Sequence, residues 1–288
     1  MADQAERLRN LMVQKNNGKG PNTANARIIA VSSGKGGVGK TSLVVNLAIA
    51  LSKAGKKVMI MDADLGLANV DIMLGITPRY TLFDVLEGNK SLKEIIITGV
   101  EGINIIPGCS GLFATENISR LQKQNLLKEM GSCIDEMDYI LIDTGAGISN
   151  IVLGFIAAAG DALIVVTPEP TSITDGYAII KILSQFKLHE KVLLVVNMAA
   201  NLDEAQESLE KIETVASKYL NIEIVRLGAI FFDDTVKKSI IEMTPFMINY
   251  PRSQVSRDVM QIAENLSENK FTLNISNNFV RKMMNLLR

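Results

Sequence analysis

The stretch Val31-Ser32-Ser33-Gly34-Lys35-Gly36-Gly37-Val38-Gly39-Lys40-Thr41-Ser42 decides how this chain folds. An apolar run, Ile28-Ile29-Ala30-Val31, leads into it, and a helical pattern, Leu43-Val44-Val45-Asn46-Leu47-Ala48-Ile49-Ala50-Leu51, leads out. Strand, glycine-rich loop and helix in that order form a cradle for phosphate. Gly34, Gly36, Gly37 and Gly39 let the backbone turn its N–H groups inward around Val38. The helix that follows aims the positive end of its dipole at the same point. The pattern Gly-x-x-x-x-Gly-Lys-Thr is complete. Lys40 is expected to reach the terminal phosphates and the Thr41 hydroxyl to take a Mg²⁺, with the binding segment running from Gly34 to Ser42. The pattern implies a nucleoside triphosphate. Lys35, at the second position of the loop, is a cation that phosphate binding alone does not require.

Working outward, Gly55 reads as the C-terminal cap of the first helix, and Lys57-Val58-Met59-Ile60-Met61 as a buried strand. That strand ends in Asp62-Ala63-Asp64. Acids just past a strand's C-terminal end lie in the crevice where α/β sheets bind ligands. Asp64 is the candidate to orient an attacking water. Asp62 either helps hold Mg²⁺ or the loop beside it, or serves as a turn or cap residue. Thr81 to Leu86 suggests a short helix, Ile103 to Ile106 a strand, and Leu121 to Met137 a helix. Tyr139-Ile140-Leu141-Ile142 is a strand closed by Asp143, a carboxylate held at Mg²⁺-water distance by a rigid strand. Thr144-Gly145-Ala146-Gly147 after it gives a loop able to sense a γ-phosphate.

Three more strands are expected at 162–166, 192–196 and 226–230, with helices at about 173–186 and 202–219. Strands alternating with helices mean right-handed crossovers. The fold class is α/β, a doubly wound, mainly parallel sheet covered on both faces. Asn197, ending its strand, pairs a donor with an acceptor and suits an adenine edge, or else is a structural turn residue. Asp233 and Asp234 read as a helix cap in a loop near the base. His189, the single histidine, receives no chemistry.

With 288 residues and 47% hydrophobic content the chain has ample core. Mean hydropathy is +0.20, yet no run approaches the roughly 18–20 apolar residues of a spanning helix. The polar start, Met1 to Asn10, is not a secretory signal. Cys109 and Cys133 lack metal-ligand spacing and read as reduced thiols. The net charge of −1 gives no push toward nucleic acid, so DNA is not an expected partner.

Three divisions are expected. Residues 1–25 pair a short apolar stripe, Ala5, Leu8, Leu11 and Met12, with a Gly/Pro-punctuated linker, either a detachable recognition helix or a disordered tail. Residues 26–268 form the nucleotide-binding domain. Residues 269–288 place Phe279, Val280, Met283, Met284, Leu286 and Leu287 on one helical face, with Arg281, Lys282 and Arg288 toward the other. That is the design of an in-plane membrane helix, or of a terminal helix packed on its own domain. One short helix binds weakly, so two copies would couple membrane affinity to dimerisation.

Lys35-Gly36-Gly37-Val38-Gly39-Lys40-Thr41 resembles the deviant Walker motif of the MinD/ParA class of ATPases, and the stretches Asp62–Asp71 and Ile140–Gly147 resemble MinD-type ATPases. The resemblance runs from about residue 27 to 268. It implies ATP and ADP as ligands with Mg²⁺ held by Thr41, Asp62 and Asp143. It also implies an ATP-bound homodimer in which Lys35 reaches the partner's nucleotide, and slow hydrolysis in which Lys35, Lys40 and Asp64 are catalytic. Asp143-Thr144-Gly145-Ala146-Gly147 departs from the Asp-x-Pro-Ala-Gly of the cell-division protein. The head, Asp3-Gln4-Ala5-Glu6-Arg7-Leu8-Arg9, looks like the D-Q-A-x-x-L-R element of the FlhG family of flagellar-number regulators. That likeness implies that Asp3, Gln4, Ala5, Leu8 and Arg9 contact and stimulate the GTPase FlhF. It further implies partners in the flagellar switch complex (C-ring), and a cytoplasmic protein reversibly peripheral on the anionic inner face of the cell membrane. A ParA-type DNA-segregation or MinD-type division-site ATPase shares the core and is the alternative. An iron–sulfur carrier would need paired cysteines, which Cys109 and Cys133 do not form. A non-enzymatic scaffold using ATP as a structural ligand is separated from these by turnover.

Overall fold

The computed structural model describes residues 26–64, 69–108, 129–130 and 133–268. Its sheet is built from β1 (Arg27–Ser32), β2 (Val58–Ala63), β3 (Ile97–Thr98), β4 (Asn104–Ile106), β5 (Tyr139–Thr144), β6 (Asp161–Val166), β7 (Lys191–Ala199) and β8 (Glu223–Phe231). The order across the sheet is β3-β4-β2-β5-β1-β6-β7-β8. All neighbours run parallel except β3 against β4. Because both faces are covered, the central strands are continuous apolar runs without polar alternation. Successive residues nonetheless feed opposite layers: Ile28 and Ala30 pack into one core cluster, Ile29 and Val31 into the other.

Helices fill both layers. α1 (Lys40–Lys53) packs on the sheet and against α10 (Gln254–Glu268), which itself lies on β8, so Leu43, Val44, Leu47 and Leu51 are all buried. Gly55 stands past its end at φ 80°, and Lys56 N–H returns to the Leu51 carbonyl, the expected cap. Short helices α2 (Val70–Met73), α3 (Leu82–Leu86) and α4 (Leu92–Ile95) follow β2. α5 (Asn150–Ala158), α6 (Pro170–Gln185) and α7 (Leu202–Tyr219) are the later crossovers, and α8 (Asp234–Ile241) and α9 (Phe246–Asn249) precede α10.

The expected strands and the helices near 173–186 and 202–219 are present, the helix at 202–219 with the expected bounds and the others with ends shifted by a few residues. The strand expected over Ile103–Ile106 is β4, and β3, α5 and α10 are among the elements not anticipated: β3 is too short to carry a period, α5 is a nearly all-apolar helix of nine residues, and α10 carries its apolar positions among charges. The helix expected over 121–137 lies mostly outside the described residues, as do the N-terminal stripe and the Phe279–Leu287 face.

At the sheet's N-terminal edge, Arg27 Nε pairs with Asp161 at 2.7 Å while Nη1 donates to the Leu266 carbonyl near the end of α10. At the opposite edge, register places Val31 and Asp62 on either side of Asp143. Three strand ends therefore converge at the crevice where parallel sheets bind ligands.

Candidate functional site

Between β1 and α1 the loop turns through left-handed conformations at Gly37 (φ 79°) and Gly39 (φ 83°), which glycine adopts without strain. Two glycines are also required by crowding. A Cβ at Gly34 would lie 2.4 Å from Asp175 carbons in α6, and one at Gly39 would lie 2.3 Å from the Asn197 amide nitrogen. The loop is thus clasped from two sides. Asn197 Nδ2 donates to the Val38 carbonyl at 2.8 Å, and its Oδ1 accepts from Met198 N–H at 2.9 Å. Much of the Asn197 amide, expected at a base edge, is committed to holding the loop. Met198 at φ 61° sits in a register shift of β7 that aims Asn197 this way.

Beneath the loop, Lys40 Nζ stands 3.5 Å from Asp143 Oδ1, both buried. Burial pushes the Asp143 carboxyl up, opposed by the Lys40 charge and by a hydrogen bond from the Thr41 hydroxyl. Asp143 Oδ2 and Ser42 Oγ remain buried without a partner among the described residues. A lone carboxylate oxygen, two hydroxyls and an ammonium around glycine amides are the donor set for a hard cation on a polyphosphate, so the residues fit Mg²⁺ and a nucleotide.

Asp62 lies beside Asp143. Its Oδ1 accepts from Asp64 N–H at 3.1 Å, and its Oδ2 from Asn69 and Val70 N–H at 3.1 and 3.3 Å. Burial, then the Asp143 charge, push Asp62 up to about 7 against those three bonds. The structure thus puts Asp62 on the segment leading into α2, the loop-holding half of its expected role. Asp64 itself reaches the cleft, with Oδ1 3.4 Å from where a Gly145 Cβ would stand. The loop after β5 is pinned to the phosphate loop, since Thr144 Oγ1 donates to Val31 O at 3.0 Å and Gly147 N–H to Ser33 O at 2.8 Å.

Lys35 does not join this cluster. Its Nζ is paired with Glu169 at 2.6 Å and lies 3.4 Å from Thr171 Oγ1, the side chains of Lys35 and Glu169 being 43% and 61% exposed. An exposed pair of this kind is worth about 0.2–1 kcal/mol, so it releases readily. Glu169 was missed in the sequence; Pro170, the first residue of α6 a short turn after β6, was the available signal.

The cleft holds about 650 Å³ and is lined by Gly36 to Ser42, Asp64 and Asn197. Ile72, Phe232, Ile240 and Ile241 line it too, an apolar set that periodicity did not reveal. Asp233 is the N-cap of α8, accepting from Thr235 N–H, and also lines the cleft. Asp3, Gln4, Ala5, Leu8 and Arg9 and the tail residues Phe279, Val280, Met283, Met284, Leu286 and Leu287 lie outside the described residues.

The AAA domain family model matches residues 26–219. The chain is 39% identical over 238 residues to antiactivator FleN of Pseudomonas aeruginosa, covering 83% of this chain and 85% of that one. It is 37% identical over 265 residues to the flagellum site-determining protein YlxH of Helicobacter pylori, covering 91% and 90%. Among solved structures, the cell division ATPase MinD of Pyrococcus furiosus superposes with a TM-score of 0.70 at 27% identity, covering 84% of this chain and 99% of that one. The septum site-determining protein MinD of Pyrococcus horikoshii, complexed with Mg-ADP, gives 0.70 at 27%, covering 84% and 96%. A complete deviant phosphate loop, a buried Asp143 beside Lys40 and these likenesses lead to one conclusion: the chain belongs to the FlhG (FleN/YlxH) group of the MinD/ParA family of ATPases, enzymes that hydrolyse ATP to ADP and phosphate.

Proposed function

We propose that this protein is an ATP-dependent, dimerising switch that controls flagellar number and placement from the inner face of the cell membrane. The likeness to FleN and YlxH over 83% and 91% of the chain supports the flagellar role. The observation that carries the switch is the position of Lys35, partly exposed and paired with Glu169 instead of lining its own cleft. A lysine so placed serves a nucleotide in a second subunit.

In this reading the glycine amides and Lys40 hold the ATP phosphates, and Thr41 and Asp143 hold Mg²⁺, which supplies charge neutralisation when bound. Asp64 orients the attacking water, and Lys40 together with the partner copy's lysine balances the charge that develops on the γ-phosphate. Asp62 fixes Asp64 and the start of α2 at Asn69 and Val70 through its three backbone bonds. Asn197 braces the loop beside the base end of the cleft. Hydrolysis is slow, stimulated by dimerisation, and returns monomers to the cytoplasm. Two Phe279–Leu287 helices, doubled by dimerisation, give appreciable affinity for anionic lipid. The Asp3–Arg9 head stimulates FlhF, and C-ring proteins are further partners.

Liposome co-sedimentation tests the switch. The whole chain is compared with one ending at Lys270, each with ATP or ADP. ATP-dependent pelleting lost on truncation is the expected result. Pelleting indifferent to nucleotide and tail would remove the membrane step.

A further inference from the structure

We infer that Phe232 is the residue on which the base of the bound nucleotide stacks, so that the cleft reads a flat base as well as phosphate. The inference deepens the nucleotide reading of the cleft by naming a further residue that contacts the ligand.

Among the described residues two aromatic side chains stand well out to solvent, Phe232 at 68% and Tyr219 at 65% exposure. Tyr219 has a hydroxyl for water and carries Lys218 Nζ 5.3 Å from its ring centroid. Phe232 has no polar handle, yet it lines the cleft. An apolar ring held open in a binding cleft is a surface for a ligand with an apolar face.

The backbone fixes where the ring stands. Phe232 N–H donates to the Ala199 carbonyl at 2.9 Å, Phe231 N–H donates to Asp258 Oδ2 at 2.9 Å, and Asp233 caps α8. Ala199 is two residues past Asn197, whose amide donates to the Val38 carbonyl of the phosphate loop at 2.8 Å. Met198, between them, is 39% exposed and lines the same cleft.

Strand order sets the direction of the ligand. Asp143 closes β5 on one side of β1, whereas β6, β7 and β8 lie on the other. Four strand spacings of about 4.8 Å separate β5 from β8, about 19 Å in all. With Mg²⁺ and the terminal phosphates on the Asp143 side, the ribose and base extend from the loop toward β7 and β8 and reach Phe232. Stacking on an aromatic face adds about tenfold or more to the affinity for a base.

The test is isothermal titration calorimetry of the full chain with Mg-ADP and, as a base-free probe, Mg-pyrophosphate. ADP keeps turnover and dimerisation out of the measurement. Wild type is compared with Phe232→Ala, Phe232→Tyr and, as a control on α7, Tyr219→Ala. The ring is exposed, so its loss leaves the fold intact. The expected result is an ADP affinity about tenfold lower in Phe232→Ala with pyrophosphate affinity unchanged, while Phe232→Tyr stays within about twofold of wild type and Tyr219→Ala does not differ from it. The adenine H2 and H8 resonances should also move upfield on binding to wild type and not on binding to Phe232→Leu, which keeps an apolar side chain without a ring current. Phe232→Ala that binds ADP like wild type overturns the inference. Equal losses for ADP and pyrophosphate make Phe232 a support of the phosphate loop and overturn it also, leaving the nucleotide site standing. Wild type that binds neither probe refutes the nucleotide reading itself, and this contact with it.

Discussion

Replacing Lys40 with methionine separates the two jobs of the buried pair beneath the phosphate loop. Lys40 Nζ and Asp143 Oδ1 are 3.5 Å apart, and their side chains are 9% and 1% exposed. Methionine has nearly the length of lysine, so no large cavity opens. What remains is an Asp143 carboxylate with the Thr41 hydroxyl as its remaining favourable partner. Leaving one member of a buried pair uncompensated costs about 3–5 kcal/mol. Adding Asp143→Asn removes the stranded charge and should return the chain to within about 1 kcal/mol of wild type, because replacing both partners of such a pair is near neutral. Urea unfolding of the nucleotide-free chain at neutral pH, in chelator, reads both differences without interference from lost ATP binding. The pH dependence has a definite sign. Asp143 already titrates above its ordinary value of 3.8 in the fold, so its ionisation opposes folding and stability falls as pH rises above that value. Losing Lys40 raises Asp143 further, so Lys40→Met should lose more stability over that range than wild type does. A change below about 1 kcal/mol, or no recovery in the double variant, would refute the claim that the two groups are coupled in a dry site.

Gly34→Ala must open the contact with Asp175 from 2.4 Å to the 3.4 Å of ordinary packing. It should cost about 1–3 kcal/mol and weaken ATP binding about tenfold or more in a fluorescence titration; unchanged affinity and melting would contradict the close approach. Asp62 at about 7 in the fold, against 3.8 unfolded, keeps a proton that the unfolded chain releases, so stability in chelator should fall between about pH 4 and 7. Asp62→Asn should flatten that slope, with about 4 kcal/mol as the ceiling of the effect and the loss of one acceptor oxygen acting against it; an unchanged pH profile would refute the burial of Asp62. Asp161→Asn removes the carboxylate held 2.7 Å from Arg27 Nε and should cost about 3 kcal/mol in urea unfolding, with a cost under about 1 kcal/mol contradicting the buried pair.

Much of this was legible because the chemistry is local. Gly34 to Ser42 states a strand, a loop and a helix in twelve residues, and runs such as Tyr139–Ile142 can only be strands buried on both faces. Asp62 and Asp143 were found because each closes such a run. What could not be read depends on contacts between distant segments. Asn197 lies far along the chain from Val38, and its donation to the Val38 carbonyl follows from a register shift in β7 that no periodicity encodes. Glu169 gains meaning only once β6 is seen beside β1, bringing α6 over Lys35. The apolar lining of Ile72, Ile240 and Ile241 joins helices that are separate in sequence and too short or too mixed to show a stripe.

The central claim is that this cleft hydrolyses ATP with Asp64 as the residue that orients water. Phosphate release from Mg-ATP, measured for wild type and Asp64→Asn alongside equilibrium ATP binding, tests it most directly. The account predicts steady turnover by wild type. For Asp64→Asn it predicts ATP affinity within about threefold of wild type and a kcat lower by about 10²–10⁴, the range for removing a positioned acid–base group. Turnover by Asp64→Asn at the wild-type rate, or a loss of binding that accounts for the whole fall in rate, would contradict it.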